Sequence, residues 1–471
     1  MSSPLHAPDA VPPPWAGGPS GRLFVVYARL LGLLLAGYLL FDRAFAYLHL
    51  PGTPLFVGEM LLAVGAVGTL TATWCLRAPL SDEPILALLA TFILWGLIRA
   101  VPGVGVHGMD ALRDSALCYY GLFAFFTVAA LARSPDLVER MVGGLGRLTP
   151  WLMLWLPVGL LLTPLAADAP SMPFTTVSVL SHKPGNAAIA ALLVLGCMWL
   201  FRDGRSPWSR GVWSFMGLVV IALAATQNRG ALLGVTAGAI VGLSFVSDRR
   251  RLIVRALVVS ALTLGLASQL PLKVPIDGLQ GRDFSASQLV ANVASLGGKE
   301  SPGNLGGTVE GRKELWSRIL DKQVADAHLV DGSGFGQNLA AEVGVYDEGE
   351  DTLRNPHNSH LHILARMGLV GSSLWIALWV GWYWRLFAGC RRLTRQRLHM
   401  RRQVAVLSLA VTTAILVSTT FDPQLEGPQV AALLWTTFGI GVAVTSTRAW
   451  FDQTPTVTPA AGHGSRSRPE P

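Results

Sequence analysis

Apolar runs of roughly 17–25 residues recur from one end of the chain to the other, separated by short polar connections. Helices of that length cross a hydrocarbon core, so the pattern predicts an all-α, polytopic helical membrane protein with about twelve transmembrane helices. The spans fall near 23–41, 55–76, 84–101, 116–132, 146–166, 186–201, 211–227, 230–247, 253–271, 361–384, 404–420 and 430–449. One long polar stretch, 272–357, interrupts the series and is expected to form a large, partly helical loop. Its glycine-rich first half, "LGGKESPGNLGGTVEG", predicts irregular chain. Its second half, "GRKELWSRILDKQVADAH", has helical periodicity, with Leu315, Trp316, Ile319 and Leu320 on one stripe, and "VDGSGFGQN" then reads as a turn. The expected organisation is a disordered tail over 1–22, spans one to nine over 23–271, the loop over 272–357, spans ten to twelve over 358–449 and a disordered tail over 450–471.

Charge orients this arrangement. Of 471 residues 51% are hydrophobic and 14% charged, with a formal net charge of +8. A basic excess can signal nucleic acid, but here arginines cluster in short connections such as "RDGRSPWSR", "DRRRLIVR" and "RLFAGCRRLTRQRLHMRRQ". The positive-inside rule puts those connections and both termini in the cytoplasm and the long loop outside. The expected surroundings are therefore membrane lipid, with no nucleic-acid partner, and the first span is expected to act as an uncleaved anchor. Cys75, Cys118, Cys197 and Cys390 lie in or beside spans, which argues against a disulfide framework or a cysteine metal site.

The densest chemistry is in "NPHNSHLHILARMGLVG", at the mouth of the tenth span. Read as a helix start, Asn355 is the N-cap, Pro356 the first helical residue and His357 part of the first turn. The positive end of the helix dipole then keeps His357 neutral, as a base must be, and attracts anions such as phosphate. His360, Gly368 and Gly371 fall within roughly 60° of the His357 direction, and the two glycines predict a groove for a neighbouring helix or a lipid chain. Arg366 points to the opposite face. The plainer reading is a well-capped, wet helix start with interfacial histidines. His357, His360 and His362 suggest zinc, but the nearby Asp347, Glu348, Glu350 and Asp351 read as a solvated run and no metal site is expected.

Two arginines are candidates for the same outer face. Arg229, in "ATQNRGALLGV", sits in a very short turn between spans, and Arg312, in "EGRKELW", begins the loop helix with Trp316 one turn on. Cation–π packing on Trp316 could hold the Arg312 guanidinium. The competing readings are a snorkelling arginine and a solvated helix face. Lys183, in "SHKPGN", is a weaker candidate for anion contact. Arg29 and Arg99 read as snorkelling, or as paired with acids such as Asp42 or Asp110.

These pieces together resemble the O-antigen ligases and the related Wzy-type polysaccharide polymerases. His357-Asn358 followed by nine residues and then Gly368-Leu369-Val370-Gly371 is similar to that family's signature. "NRGALLG" resembles its Arg-Gly turn, "GRKELW" its Gly-Arg…Trp element, and "DGSGFGQN" its Gly-x-Gly-x-Gly segment. Asn228 stands where a small hydroxyl residue is common, and Arg366 where an acidic one is frequent. The resemblance implies a metal-independent, inverting glycosyltransferase of the bacterial inner membrane, without cofactor, whose active site faces the periplasm. It further implies a glycan donor on undecaprenyl diphosphate and a glycan or lipid A-core acceptor, with other polysaccharide-assembly proteins as partners. On that reading His357 is the catalytic base, Arg229, Arg312 and Lys183 bind diphosphate, and Asn358, Trp316, His360, Gly368 and Gly371 support them. A Wzy-type polymerase shares the donor and differs in acceptor. From another class, a polysaccharide transporter or flippase also suits twelve spans, but no duplicated halves or paired broken helices are apparent.

Overall fold

The computed structural model describes residues 19–53, 55–70, 83–134, 136–201, 206–246, 305–344 and 354–447. Among them lie fifteen α-helices: α1 Pro19–Ala46, α2 Val57–Leu70, α3 Pro84–His107, α4 Met109–Asp114, α5 Ala116–Tyr119, α6 Leu122–Arg133, α7 Leu137–Leu161, α8 Pro184–Leu200, α9 Pro207–Gln227, α10 Arg229–Ser244, α11 Leu305–Ala325, α12 Leu339–Glu342, α13 Ser359–Arg395, α14 His399–Ser418 and α15 Pro428–Val444. Among the described residues, six segments are long and apolar enough to cross a membrane: Leu23–Ala46, Pro84–His107, Ala116–Arg133, Pro207–Gln227, Ser359–Arg395 and His399–Ser418. Four more helices, α2, α8, α10 and α15, are apolar but shorter. Each expected span except the ninth overlaps a described helix. The ninth span, the first part of the long loop, the acidic run from Asp347 to Asp351, most of both tails and Cys75 lie outside the described residues. Cys118, Cys197 and Cys390 are buried.

Two kinds of contact build the bundle. Along α13, Trp375, Trp379 and Trp382 pack their rings against Trp435 and Phe438 of α15, with centroids 5.6–6.0 Å apart. The opposite device joins α10 to α14. Glycines recur every fourth residue on α10, at 230, 234, 238 and 242. A Cβ on Gly234 would lie 2.5 Å from the Ala414 carbonyl oxygen, and one on Gly238 2.4 Å from that of Ala410. Helices without side chains between them can approach backbone to backbone, which favours association where burial from water offers no drive. This stripe brings the Asn228–Arg229 end of α10 beside the C-terminal end of α14.

The loop helix α11 starts earlier than its glycines suggest, taking in the "LGGTVEG" stretch expected to be irregular. Leu315 and Ile319 are buried as the periodicity predicts, in a small core with Leu339, Ala340 and Ala365. After α11 the Gly-x-Gly-x-Gly turn docks on α13. Gly332, Gly334 and Gly336 take φ of 81°, 83° and 104°. Gly368 breaks α13 with φ 65° and ψ −166°, and the loop satisfies the groups thereby released. Leu369 N–H donates to the Leu329 carbonyl at 2.9 Å, Val370 N–H to Val330 at 3.2 Å, and Ser333 N–H to Ala365 at 2.8 Å. The expected groove at Gly368 and Gly371 is thus filled: a Cβ on Gly368 would meet the Val330 carbonyl at 2.2 Å, and one on Gly371 the Met367 Cβ at 2.2 Å.

Arginines fasten this loop to the N-terminal helices. Arg99 pairs with Asp331 at 2.9 Å and donates to the Gly332 carbonyl at 2.6 Å. Arg354 pairs with Asp110 at 2.7 Å, and the fully buried Arg366 with Asp114 at 2.9 Å while donating to the Gln337 carbonyl. Neither Arg99 nor Asp110 has the partner its sequence neighbourhood suggested, because the loop returns between them. Asp42 is not an arginine partner either. It breaks α1 at φ 42° and accepts the Lys183 N–H at 2.5 Å and the Asn186 amide at 2.7 Å.

Candidate active site

Five stretches of chain meet at one end of the bundle: the start of α8, the α9–α10 turn, α11, the turn before α13 and the connection from Thr419 to Gly427. Asn228 caps α10, its Oδ1 accepting from Ala231 N–H at 3.1 Å, while its Nδ2 donates to Asp422 Oδ2 at 3.3 Å. An asparagine does here what a hydroxyl cap would do and also reaches across to the neighbouring connection. Arg229 follows as the first residue of α10, near enough to Arg312 for the two charges to repel. From α11, Arg312 Nη1 donates to the Phe421 carbonyl at 3.1 Å. Burial pushes its pKa below the ordinary value, against the pull of the Asp422 carboxylate. Two guanidiniums forced together in a half-dry site attract an anion strongly.

Trp316 does not follow the expected cation–π role. Its indole N–H donates to the Pro356 carbonyl at 2.6 Å, so one turn of α11 presents Arg312 and also grips the segment carrying the histidine.

That segment departs from the expected helix start. The N-cap is Asn358, whose Oδ1 accepts from His360 N–H at 3.0 Å and Leu361 N–H at 3.1 Å. Asn355 is engaged elsewhere: its Oδ1 accepts from His357 N–H at 3.3 Å and its Nδ2 donates to Glu426. His357 lies before the cap with φ 52°. A left-handed conformation at a non-glycine residue costs on the order of 1–3 kcal/mol and persists only when its surroundings enforce it. His357 is half-buried, and its pKa is pulled down to about 4, first by burial and then by the Arg312 charge, with Asp422 opposing and Lys183 assisting. Burial and neighbouring cations hold this imidazole's pKa down, and His357 lies before the helix cap rather than in the expected first turn.

The other histidines face different neighbourhoods. His360 Nε2–H donates to the Leu416 carbonyl at 2.9 Å and its Nδ1 accepts from Trp375 at 3.0 Å, so it ties α13 to α14 and is saturated there. His362 is fully buried, with Nδ1 3.3 Å from Glu426 Oε1. Among the described residues no group of three His, Cys, Asp or Glu is arranged to hold a metal ion. Lys183, preceding α8, is close enough to act electrostatically on His357 and Glu426. Gly185, two residues on, sits where a Cβ would meet Gln424 at 2.1 Å, which presses the start of α8 against the same connection.

Sequence reasoning missed Asp422 and Glu426. The available signal was two carboxylates in "FDPQLEGPQ", a short connection between apolar runs that otherwise needs no charge. It also left Gly368 and Arg366 unconnected to the loop, since neither contact is implied by spacing along α13.

Comparison of the chain with curated proteins finds no match. Residues 214–376 match the family described as O-antigen ligase, a stretch that includes Arg229, Arg312, Trp316, His357, Asn358, Gly368 and Gly371 and excludes Lys183, Asp422 and Glu426. That family implies, in general terms, transfer of a glycan from a lipid-linked donor to a glycan acceptor. Across that stretch, then, this membrane-helical chain is similar to the O-antigen ligase family.

Proposed function

We propose that the protein is an inverting, metal-independent glycosyltransferase that moves a glycan from undecaprenyl diphosphate to an acceptor hydroxyl on the periplasmic side of the inner membrane. What supports this reading most is that Arg312 and Lys183 lie within electrostatic reach of His357, and Arg229 within reach of Arg312, from four separate stretches of chain. The acceptor oxygen attacks the anomeric carbon as the bond from that carbon to the diphosphate oxygen breaks. His357 takes the hydroxyl proton, and the departing lipid diphosphate carries the bonding pair away as an anion. Fixed guanidiniums stabilise that developing charge without reorganising. Burial first, and then the Arg312 and Lys183 charges, hold the His357 pKa down to about 4, and a bound diphosphate balances the part that is due to those charges. The imidazole then becomes a stronger base with its substrate present, which times proton transfer to the loaded state.

His357→Ala tests this. The variant should insert and purify like the wild type yet lose transfer by at least about a hundredfold, the scale of a lost general base. Wild-type glycan attachment in that variant would refute the assignment. A polymerase acting on the same donor differs only in its acceptor. Cells lacking the protein would then accumulate single repeat units, whereas loss of a ligase leaves full-length polymer unattached. A reconstituted assay with no energy source separates either enzyme from a transporter, since transfer proceeds on the leaving-group energy of the donor alone.

A further inference from the structure

The connection between α14 and α15 does more than close a hairpin. Glu426 ends its single 3-10 turn, Gln424–Glu426, with its carboxyl largely buried. One oxygen accepts the amide N–H of Asn355, whose own oxygen accepts the His357 N–H. The other oxygen lies 3.3 Å from Nδ1 of the fully buried His362, and neither that oxygen nor either His362 ring nitrogen has a hydrogen-bond partner among the described residues. A buried imidazole beside an unpartnered carboxyl oxygen is satisfied at once if a proton lies between them. We propose that Glu426, as a protonated carboxylic acid donating to His362 Nδ1 and accepting from Asn355, is the positioning residue that holds His357 in its left-handed conformation. The proposal rests on the reading of His357 as the base.

The groups facing Glu426 agree with a protonated acid. His362 and Arg366 reach it from α13, Asp114 from the end of α4, Lys183 from the start of α8 and Asn355 from the turn. Burial and the Asp114 carboxylate raise its pKa to about 8, against Arg366, Lys183 and Asn355. A raised acid keeps its proton through neutral pH and loses it as pH rises through about 8, when the donor to His362 disappears.

The experiment measures kcat and KM for transfer from about pH 5.5 to about 9.5 with purified full-length protein. The donor is undecaprenyl diphosphate-linked glycan extracted from cells deleted for this chain, and the acceptor is their membranes. Glu426→Ala should lower kcat at neutral pH by about tenfold or more with KM within about threefold, the signature of a misplaced base rather than a lost binding group. Glu426→Gln keeps both hydrogen bonds, so it should restore kcat to within about threefold and remove the alkaline limb expected of wild type near pH 8. Wild-type kcat in Glu426→Ala, or an alkaline limb unchanged in Glu426→Gln, overturns the proposal. If the alanine variant does not fold, the glutamine profile decides alone. His357→Ala separates the two readings: activity there sinks the base assignment and this inference together, whereas activity in Glu426→Ala alone sinks only the latter.

Discussion

At the residue scale, the candidate site works through choices that a charge count cannot express. Arg312 is held by the Phe421 carbonyl and Asp422, and its planar fork leaves further N–H groups for an anion. A lysine keeps the charge but presents a single point that cannot bridge two phosphate oxygens. Arg312→Lys and Arg229→Lys should therefore each reduce kcat on the order of a hundredfold, as removal of one preorganised donor does elsewhere, while the protein stays folded. Steady-state transfer with each purified variant checks this, and full activity in either would remove that arginine from the proposed diphosphate site. Trp316 and Asn355 show a second pattern. Neither needs to touch substrate, yet both hold the strained backbone at His357, one from α11 and one through Glu426.

Helices position those residues through places where their side chains are missing. The glycine stripe of α10 lets α14 approach to backbone contact and so delivers Asn228 to Asp422. Gly234→Val would push a branched side chain into the Ala414 carbonyl 2.5 Å away. Overpacking of that kind costs about 1–3 kcal/mol, so the variant should melt several degrees lower in detergent and lose transfer in parallel, although it lies two turns or less from no charged group but Arg229. Unchanged melting temperature and activity would show that the α10–α14 contact is looser than the geometry described. The break at Gly368 is the other structural device. An uninterrupted helix would have left no free backbone groups for residues 329–334, and the loop would have had nowhere to dock.

On the scale of the whole molecule, the N-terminal helices serve as an anchor for the long loop. Arg99, Asp110 and Asp114 lie far outside the family-matched stretch, yet they hold its Gly-x-Gly-x-Gly turn through Asp331, Arg354 and Arg366. Arg366→Met removes a partner of a nearly buried carboxylate and two hydrogen bonds donated to the loop. Breaking such a pair from one side costs about 3–5 kcal/mol, and proteolysis between α11 and α13 should become markedly faster. The double variant Arg366→Met, Asp114→Leu should recover much of that loss, because no charge is then left unpaired. A single variant as resistant to protease as wild type would show that the loop is held elsewhere.

The amino-acid sequence by itself determined the helical class, since period and length of the apolar runs suit no other structure in a bilayer, and it marked His357, Arg229 and Arg312 as separate candidates. It also determined the family resemblance, because the signature residues lie at fixed spacings. What it could not contain was who meets whom. Asn355 rather than Asn358 looked like the cap until Glu426 claimed its amide, and Trp316 looked like a cation–π platform until Pro356 came within reach of its N–H. Both outcomes depend on partners 40 and 71 residues away, brought near only when the helices pack. Local spacing encodes periodicity and capping potential, whereas hydrogen bonds between distant segments are selected by burial, which forces each polar group to find whichever partner the tertiary fold supplies.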